Sequence, residues 1–520
     1  MRPQKIVNIK NESSRSNQET RAKDLLYCKQ FILGPGFIEV MPGWRHLDLG
    51  HDLKLSIHPD LEVEQIVHAD KKLAVIGNIL DSLAPEKSNR DIISELIDGV
   101  DNIEALTRAT GQYGGRWILI LSFGDKKYIF NDAFGLRQIF YSDPNITGAL
   151  WVVSQPGLAE KFLGLEVDED AEKFLDSYNV RTRTEFRWVA ASTAFRGLTH
   201  LLPNRYLDLN TGLSHRYWPY APIGSMSTKD AEVFLEQRMS NLMRAAAARF
   251  PLALGITSGI DSRLVMAMSK DISDEIDFIT VRQATMPDDH PDITIPEQLC
   301  KKLGLKRVVV KAKPSMSADF AKLFKDNVHM ATDIYGRDAE AIIDMLHRQK
   351  ATVTGSGGEM GQCYLRNRVS KDKYNGPFSA EDLAKMQGHA DEPFAIKHFQ
   401  TWLDEADDRY DVKLMDLFYW EHSHGNWLAM TQMQFDIAWR EIFTPYNCRD
   451  VLQAFLSVDE NDRVRPRFLL FKNLISRTWP ELLDQPINPH KAHEYSTKTK
   501  INRFFSRNLK RARKLLLGKY

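Results

Sequence analysis

The sequence predicts an α/β protein in which a β-rich region comes first, a domain built on a parallel sheet follows, and the last part is mainly helical. From about Leu25 to Leu165, short alternating apolar runs are separated by Gly, Asp and Asn turns, which is typical of half-buried strands. From Thr228 onward, strands alternate with helices, the pattern of a parallel α/β sheet. Beyond about Ser379 the apolar spacing is mostly helical.

Length and composition bound the class of protein. A chain of 520 residues is too long for one hydrophobic core, so we expect two or three domains. Lys plus Arg equals Asp plus Glu at 69 each, and this balance gives no argument for a nucleic-acid partner. The four cysteines lie far apart and lack metal-site spacing, so the sequence predicts a reduced, cytoplasmic protein. No apolar run approaches the ~20 residues that a membrane-spanning helix needs.

Changes in composition divide the chain into four segments. Residues 1–24 are polar and are predicted to form a disordered arm. Residues 25–225 form the first predicted domain, and residues 226–497 form the second. Residues 498–520 hold nine Lys or Arg and no acid, with apolar residues between them. Such a basic amphipathic tail either contacts a membrane surface weakly or packs as a solvated helix on the body, and both interpretations stay open.

A small-residue loop follows the strand predicted at 252–256. The loop, Thr257-Ser258-Gly259, opens a helix that holds Asp261 and Ser262. Small residues let the backbone close on an anion, and the N–H groups that open a helix point at it. A carboxylate beside a bare phosphate would be repelled, so Asp261 implies a Mg²⁺ ion between them. The loop lacks the Gly-Lys-Ser/Thr ending of a Walker A motif.

A second candidate loop follows the short strand predicted at 351–354. Its sequence, Gly355-Ser356-Gly357-Gly358-Glu359-Met360-Gly361, allows close backbone approach to a ligand, and Glu359 is its only charged residue. The carboxyl ends of neighbouring parallel strands meet at one edge of a sheet. If the two strands are neighbours, Glu359 faces Asp261 across a triphosphate and shares the Mg²⁺ site.

Together these motifs resemble those of the asparagine synthetase superfamily, over roughly residues 25–487. The segment Thr257–Ser262 is similar to the family's Ser-Gly-Gly-Leu-Asp-Ser, and 355–359 is similar to its Gly-x-Gly-x-Asp with Glu359 in place of Asp. Asp292 matches an acidic position after the second strand, and Arg465-Pro466-Arg467 resembles the segment that carries the family's catalytic Lys. The resemblance implies an ATP-pyrophosphatase domain, of the adenine nucleotide alpha hydrolase-like kind, that uses ATP and Mg²⁺.

The first domain resembles the family's glutaminase domain. Gly77-Asn78 follows a strand, Gly111–Trp117 resembles the Gly-x-Phe-Ala segment, and Asn131–Tyr141 resembles Arg-Asp-x-x-Gly-x-Arg-Pro-Leu-Tyr-Tyr. This implies an α+β, Ntn-hydrolase-like β sandwich. A working glutaminase carries Cys directly after the initiator Met, because the free α-amino group assists the thiol. Residue 2 is Arg2, and Cys28 would become N-terminal only after removal of 27 residues, so we expect a degenerate domain that releases no ammonia.

The resemblance also assigns roles to individual residues. The residues expected to bind the nucleotide are Leu254, Thr257, Ser258, Gly259, Asp261, Ser262, Val281 and Gly357. Asp261 and Glu359 are expected to hold Mg²⁺ and to act in catalysis, which makes them the predicted metal ligands. Arg467 aligns with a lysine that stabilises charge in the second half-reaction, and it is the third predicted catalytic residue.

The expected reaction is ATP-dependent amide formation, in which a carboxylate is adenylated and ammonia or an amine then attacks. Ser356 stands where the family has Glu or Tyr, and this change, with Arg467, argues against aspartate as the substrate. A small-molecule or sugar carboxylate in polysaccharide or natural-product biosynthesis is therefore expected. Two alternatives stay open: a catalytically inactive nucleotide-binding scaffold or regulatory protein, and a true asparagine synthase that uses free ammonia. The sequence also leaves a homodimer open.

Overall fold

The computed structural model describes residues 25–177, 187–366, 369, 374, 376–389 and 391–489. The arm predicted at 1–24 and the tail predicted at 498–520 lie outside these residues. The described chain contains two antiparallel sheets, one parallel sheet and the helices that pack on them. None of the helices in this part of the chain is long and apolar enough to cross a membrane.

The first part of the chain forms two six-stranded sheets in which every pairing is antiparallel. The strands are β1 (Phe31–Gly34), β2 (Arg45–Gly50), β3 (Leu53–Ile57), β4 (Val63–His68), β5 (Lys71–Asp81), β6 (Tyr113–Phe123), β7 (Lys126–Asn131), β8 (Phe140–Ser142), β9 (Val152–Val153), β10 (Leu198–His200), β11 (Arg205–Asp208) and β12 (Ser214–Arg216). One sheet has the order β10-β8-β9-β1-β3-β2 and the other has the order β12-β11-β7-β6-β5-β4.

The two sheets pack face to face because their strands alternate between two apolar faces. On β6, Ile118 and Ile120 pack with Leu33 of the other sheet, whereas Leu119 belongs to a separate core formed with the helix Asn89–Gly99. The layers therefore follow the order sheet, sheet, helix on this side. The other helices of the first part are Ile103–Ala109, Pro144–Thr147, Pro156–Leu163 and Glu169–Ser177.

The second part is built on the predicted parallel sheet, which is confirmed. Its strands are β13 (Leu252–Gly255), β14 (Asp277–Arg282), β15 (Arg307–Lys311), β16 (Ala351–Val353) and β17 (Ile442–Phe443). The order is β15-β14-β13-β16-β17, so the chain adds strands on one side of β13 and then returns to add them on the other. The crevice for a ligand in such a sheet forms where the strand order reverses, here between β13 and β16.

Helices surround the parallel sheet and form the predicted helical C-terminal part. They are Thr228–Arg249, Ile260–Met268, Pro291–Leu303, Ala318–Asn327, Asp333–Leu346, Ala380–Gln387, Pro393–Asp404, Leu414–Phe418, Ala429–Phe435, Arg449–Ser457, Glu460–Arg463 and Leu469–Thr478. A π-helical segment, Tyr419–Leu428, continues Leu414–Phe418 and is almost wholly buried. Its His424 ring stacks on Phe134 of the first part at 4.5 Å between centroids.

A buried group of charged side chains joins the two parts, and we call it the interface network: Lys29, Arg116, Arg137, Asp436 and Glu441. Arg116 Nη1 lies 2.7 Å from Asp436 Oδ1 and 3.1 Å from Glu441 Oε1. Arg137 Nη2 lies 2.9 Å from Glu441 Oε2. Burial works to raise the pKa of both acids, but the neighbouring cations outweigh it and hold each pKa below its ordinary value. Both carboxylates are therefore charged and paired inside the protein.

Candidate active site at the carboxyl edge of the parallel sheet

The loop after β13 leads directly into the helix Ile260–Met268, as the sequence predicts. Gly259 is the N-cap residue, and it has no side chain that could accept from the first backbone N–H groups. The N–H groups that open this nine-residue helix therefore have no side-chain cap, and the start of a helix favours an anion. Leu254, whose side chain is fully buried in β13, supports the loop from below.

The hydroxyl groups of the loop hold its shape. Thr257 and Ser262 are joined by a bond of 2.9 Å between their hydroxyl oxygens, and Thr257 N–H donates to Ser262 Oγ at 3.1 Å. Gly259 N–H donates to Thr257 Oγ1 at 3.1 Å. These bonds close a ring of small residues, while the Thr257 side chain stays at the surface.

Asp292 is bound to the loop rather than standing apart from it. Ser258 donates to Asp292 Oδ1 through its N–H at 2.8 Å and its hydroxyl at 2.6 Å. Asp292 sits in the first turn of the helix Pro291–Leu303, where the helix dipole favours a negative charge. Asp292, which the sequence analysis identified as an acidic residue after the second strand of the sheet, therefore contacts the loop after β13.

Arg263 holds the buried side of the loop in place, and no sequence pattern predicts this role. Its guanidinium is 1% exposed and donates to four backbone carbonyls, those of Ser258, Leu482, Gln485 and Pro486. Burial lowers the pKa of this arginine to about 10. The segment 482–486 is thereby tied to the loop, although it lies more than two hundred residues later in the sequence.

The glycine-rich loop after β16 lies against the first loop. A Cβ added to Gly355 would lie 2.5 Å from Ser262 N, and one added to Gly358 would contact Asp261 Oδ1. Gly357 adopts φ +101°, a conformation that side-chain-bearing residues rarely take. The predicted approach of the two loops is therefore confirmed, and glycine is required at Gly355 and Gly358 because nothing larger fits.

Asp261 and Glu359 both lie near the phenol of Tyr446. Tyr446 donates its O–H to Asp261 O at 3.2 Å, and Gly357 N–H donates to Glu359 Oε2 at 3.1 Å. Burial raises the pKa of Tyr446 well above its ordinary value, and the Asp261 and Glu359 carboxylates raise it further. The Asp261 carboxylate also lies against Gly358, the residue before Glu359, and carboxylate oxygens are ligands that Mg²⁺ prefers.

Gln362 and Arg465 complete the arrangement, and we call the residues 257–262, 355–362, Tyr446 and Arg465 the strand-end site. Gln362 Nε2 donates to Asp261 Oδ1, and Gln362 Oε1 accepts from Arg465 Nε at 3.0 Å. Sequence reasoning missed Gln362, and it named Arg465 only as part of the segment in which it chose Arg467 as the catalytic residue. The only signal available was the Arg-Pro-Arg segment, and it does not tell which of its two arginines turns inward.

Three other residues that the sequence analysis discussed are Arg467, Val281 and Ser356. Arg467 is exposed, two residues beyond Arg465. Val281 is half-buried in β14, beside Val310 of β15. Ser356 is half-buried, and its carbonyl accepts from Thr444 Oγ1 at 2.8 Å.

The residues of the glutaminase resemblance have structural partners. Asn78 Nδ2 donates to Glu441 Oε2 at 3.0 Å, which links it to the interface network. Cys28 is 2% exposed, and burial raises the pKa of its thiol, the opposite of what a reactive cysteine needs. Cys28, His58 and Asp60 place their ligand atoms within 4.8 Å of one another, but Arg348 contacts Cys28 Sγ at 3.1 Å and Asp60 Oδ2 at 2.9 Å. A cation therefore already occupies this group.

Comparison with known proteins gives only distant structural similarity. No protein-family model matches the sequence, and no curated protein matches it. A glutamine-dependent NAD+ synthetase from Acinetobacter baumannii, in complex with ADP, is 14% identical with a TM-score of 0.14 over 28% of this chain and 32% of its own. This chain thus spans about a third of that synthetase.

Two further structures cover more of the chain. The allosteric regulatory enzyme of purine biosynthesis is 10% identical with a TM-score of 0.25, over 59% of this chain and 74% of its own. Glutamine phosphoribosylpyrophosphate amidotransferase from B. subtilis, complexed with ADP and GMP, is 12% identical with a TM-score of 0.22, over 66% of this chain and 73% of its own. Scores this low carry no argument about this chain, so its function has to be argued from its own residues.

Proposed function

We propose that this chain is an ATP-dependent carbon–nitrogen ligase of the asparagine-synthetase kind, which adenylates a carboxylate, releases pyrophosphate and transfers the acyl group to ammonia or an amine. One observation carries the proposal: the carboxylate of Asp261, in the first turn of the helix Ile260–Met268, lies against Gly358, the residue before Glu359. This contact supports a site for a phosphate and its cation at the point where the strand order reverses.

In the proposed reaction, ATP lies across the crevice with its adenine near Val281 and its phosphates on the 257–259 loop. Mg²⁺ held by Asp261 and Glu359 would supply charge stabilisation for the pyrophosphate that leaves. The acceptor carboxylate oxygen attacks the α-phosphorus while the bond from the α-phosphorus to the bridging oxygen breaks. Arg467 then stabilises the oxyanion that forms when the nitrogen nucleophile attacks the acyl carbon. The bond from that carbon to the AMP oxygen breaks, AMP leaves with the electron pair, and the nitrogen loses a proton to solvent.

For the first part of the chain we propose a degenerate, Ntn-hydrolase-like glutaminase domain that supports the synthetase. The buried, partnered Cys28 and the bond from Asn78 to Glu441 support this role. The nitrogen donor is then ammonia or an amine from solution, and the acceptor is a small-molecule or sugar carboxylate. The four cysteines are free thiols, which supports a reducing, cytoplasmic setting.

The test is pyrophosphate release from MgATP by the wild-type protein and by Asp261→Ala and Glu359→Ala, with ammonia and a panel of carboxylic acids that includes aspartate, uronic acids and nucleotide-linked uronic acids. Glu160→Ala is the matched control, because it removes an exposed carboxylate from a helix of the first part. We expect release that requires one acid of the panel, both site carboxylates and not Glu160. Release with aspartate alone would favour the asparagine synthase alternative.

A nucleotide-binding scaffold would give a different result. It would bind MgATP in calorimetry but release no pyrophosphate with any acid. A protein that binds no MgATP would overturn the interpretation of the loop as a nucleotide site.

The role proposed for Arg467 has a separate test. Arg467→Ala should keep ATP–pyrophosphate exchange, which reports adenylation, and lose amide formation by about 100-fold. Loss of exchange and amide formation in equal measure would assign Arg467 to the first half-reaction instead.

A further inference from the structure

Two hydrogen bonds made by Gln362 connect the carboxylate of Asp261 to the guanidinium of Arg465. Gln362 is fully buried, and its amide N–H donates to Asp261 Oδ1 while its carbonyl accepts from Arg465 Nε at 3.0 Å. One side chain thus sets the position of a carboxylate and a guanidinium together. Because its N–H group and its carbonyl are both engaged, the amide of Gln362 can take only one orientation.

Arg465 is held in place by more than this bond. Its guanidinium lies over the rings of Tyr364, at 5.1 Å, and Phe468, at 5.8 Å. Arginine stacks on aromatic faces in this way and keeps its in-plane donors for other groups. Within the described part of the chain, the two terminal nitrogens of Arg465 have no hydrogen-bond acceptor, and the residue is half-buried. The fork of donors that remains matches the geometry of a phosphate or a carboxylate.

We propose that Arg465 binds the β- and γ-phosphates of the nucleotide, with Gln362 as its positioning residue. This inference rests on the proposed function, because it adds to the same site. Gln362 is hydrogen-bonded both to the carboxylate of Asp261 and to the guanidinium of Arg465. Only the length of one glutamine side chain therefore separates Arg465 from the carboxylate beside which the phosphates would bind. When the bond from the α-phosphorus to its bridging oxygen breaks, the electron pair leaves with pyrophosphate, and a fixed guanidinium stabilises that added charge.

Calorimetric binding of magnesium pyrophosphate, MgATP and AMP tests the proposal. AMP lacks the β- and γ-phosphates, so its affinity reports the fold and the rest of the site. We expect Arg465→Gln to weaken pyrophosphate and MgATP binding by about tenfold or more, Arg465→Lys to weaken them less, and both variants to keep the AMP affinity. Arg477→Gln is the matched control, because Arg477 is exposed and its cation pairs with Glu236.

Wild-type pyrophosphate affinity in Arg465→Gln would overturn the proposal, as would an equal loss of AMP affinity or the absence of pyrophosphate binding by the wild-type protein. Unchanged MgATP affinity combined with a raised KM for the acceptor acid would also overturn it, and would assign Arg465 to the acceptor carboxylate. The proposed function is judged separately. Pyrophosphate binding that depends on Arg465, without pyrophosphate release from MgATP by the wild-type protein, would support the anion site and reject the ligase.

The positioning role of Gln362 is tested by a double-substitution cycle. Gln362→Met keeps a similar length but removes both hydrogen bonds, so it should weaken pyrophosphate binding by itself. Arg465→Lys should then cost much less in the Gln362→Met background than in the wild-type protein, because the guanidinium is no longer held. Losses that multiply independently would overturn the positioning role.

Discussion

Arg116 in the interface network and Arg465 in the strand-end site are both held by polar neighbours, but they use different nitrogens. Arg116 donates through its two terminal nitrogens to the carboxylates of Asp436 and Glu441, and its Nε has no partner among the described residues. Arg465 donates through Nε to an uncharged amide, that of Gln362. Its terminal nitrogens have no acceptor within the same set of residues.

This difference indicates that Arg116 is a structural residue, whereas Arg465 can bind a ligand. At the interface each charge is met by opposite charge inside the protein, so nothing further is needed there. At the strand-end site the arginine is oriented through its Nε, which leaves the fork of donors for a ligand. Substitutions in the interface network should therefore lower stability, and substitutions in the strand-end site should lower binding.

The largest loss of stability is expected from Arg116→Met. The substitution leaves Asp436 and Glu441 buried with fewer counter-charges, and breaking such a pair typically costs ~3–5 kcal/mol. Denaturant unfolding measures this loss, and pyrophosphate binding by the folded protein should stay at the wild-type level. A loss below about 1 kcal/mol would show that the network carries little stability.

Acid is expected to weaken the region around the π-helical segment before it affects the site. His200 and His424 are buried beside the contact between the two parts, and burial lowers the pKa of each to about 4, while burial takes that of His422 well below its ordinary value. The unfolded chain binds protons at the ordinary pKa whereas the folded protein does not, so stability is complete above about pH 6.5 and falls as pH drops toward 4. His200 and His424 each contribute up to about 3 kcal/mol to this fall.

Unfolding free energies measured between pH 7 and pH 4.5 check this dependence. His200→Gln should make the slope shallower by removing one of the protons that the unfolded chain takes up. An unchanged slope would mean that folding does not lower the pKa of His200.

A smaller loss is expected from Gly355→Ala. The added Cβ would lie 2.5 Å from Ser262 N, so the two loops must separate, and such overpacking typically costs ~1–3 kcal/mol. Unlike Arg116→Met, it should also weaken MgATP binding in calorimetry. Gly99→Ala is the control, because no atom lies within 4 Å of its added Cβ. Equal effects of the two substitutions would contradict the close approach of the loops.

The smallest loss of stability is expected from Arg465→Gln. Among the residues that the structure describes, its one hydrogen bond goes to a neutral amide, so the free energy of unfolding should fall by less than about 1 kcal/mol. Denaturant unfolding beside Arg116→Met makes the comparison direct. A loss similar to that of Arg116→Met would make Arg465 a structural residue and remove the contrast between the two regions.

Much of the fold was predictable because its signals are local. The alternation along β6 and the change to strand–helix alternation after Thr228 are periodic patterns, and a single sequence shows them. The loop at 257–259 and the glycines at 355–361 were predicted to meet because each follows a strand of one parallel sheet. Their meeting is confirmed by the contact of Gly355 with Ser262.

The parts of the site that could not be predicted depend on segments that are distant in sequence. Gln362 has no periodic or motif signal, and its two partners come from residues 261 and 465. Arg263 reads as one more residue of an apolar helix, yet its carbonyl partners lie in the segment 482–486. Such contacts depend on which segments fold against each other, and spacing along one segment contains no information about that.

Strand β17, which follows Glu441 directly, lies far along the sequence, so during synthesis it forms well after the strands of the first part. The strands of the sandwich are complete once β12 has been synthesised, but the acids that face Lys29, Arg116 and Arg137 come much later, at Asp436 and Glu441. Tyr446 and Arg465, which belong to the strand-end site, follow Glu441 shortly afterwards in the sequence. During synthesis, the two antiparallel sheets can therefore form first, while Lys29, Arg116 and Arg137 remain hydrated. The segment from Asp436 to Arg465 comes later, and it both joins the two parts and completes the strand-end site. Assembly of the two parts and the capacity to bind a ligand therefore arrive together, once this later segment has been synthesised.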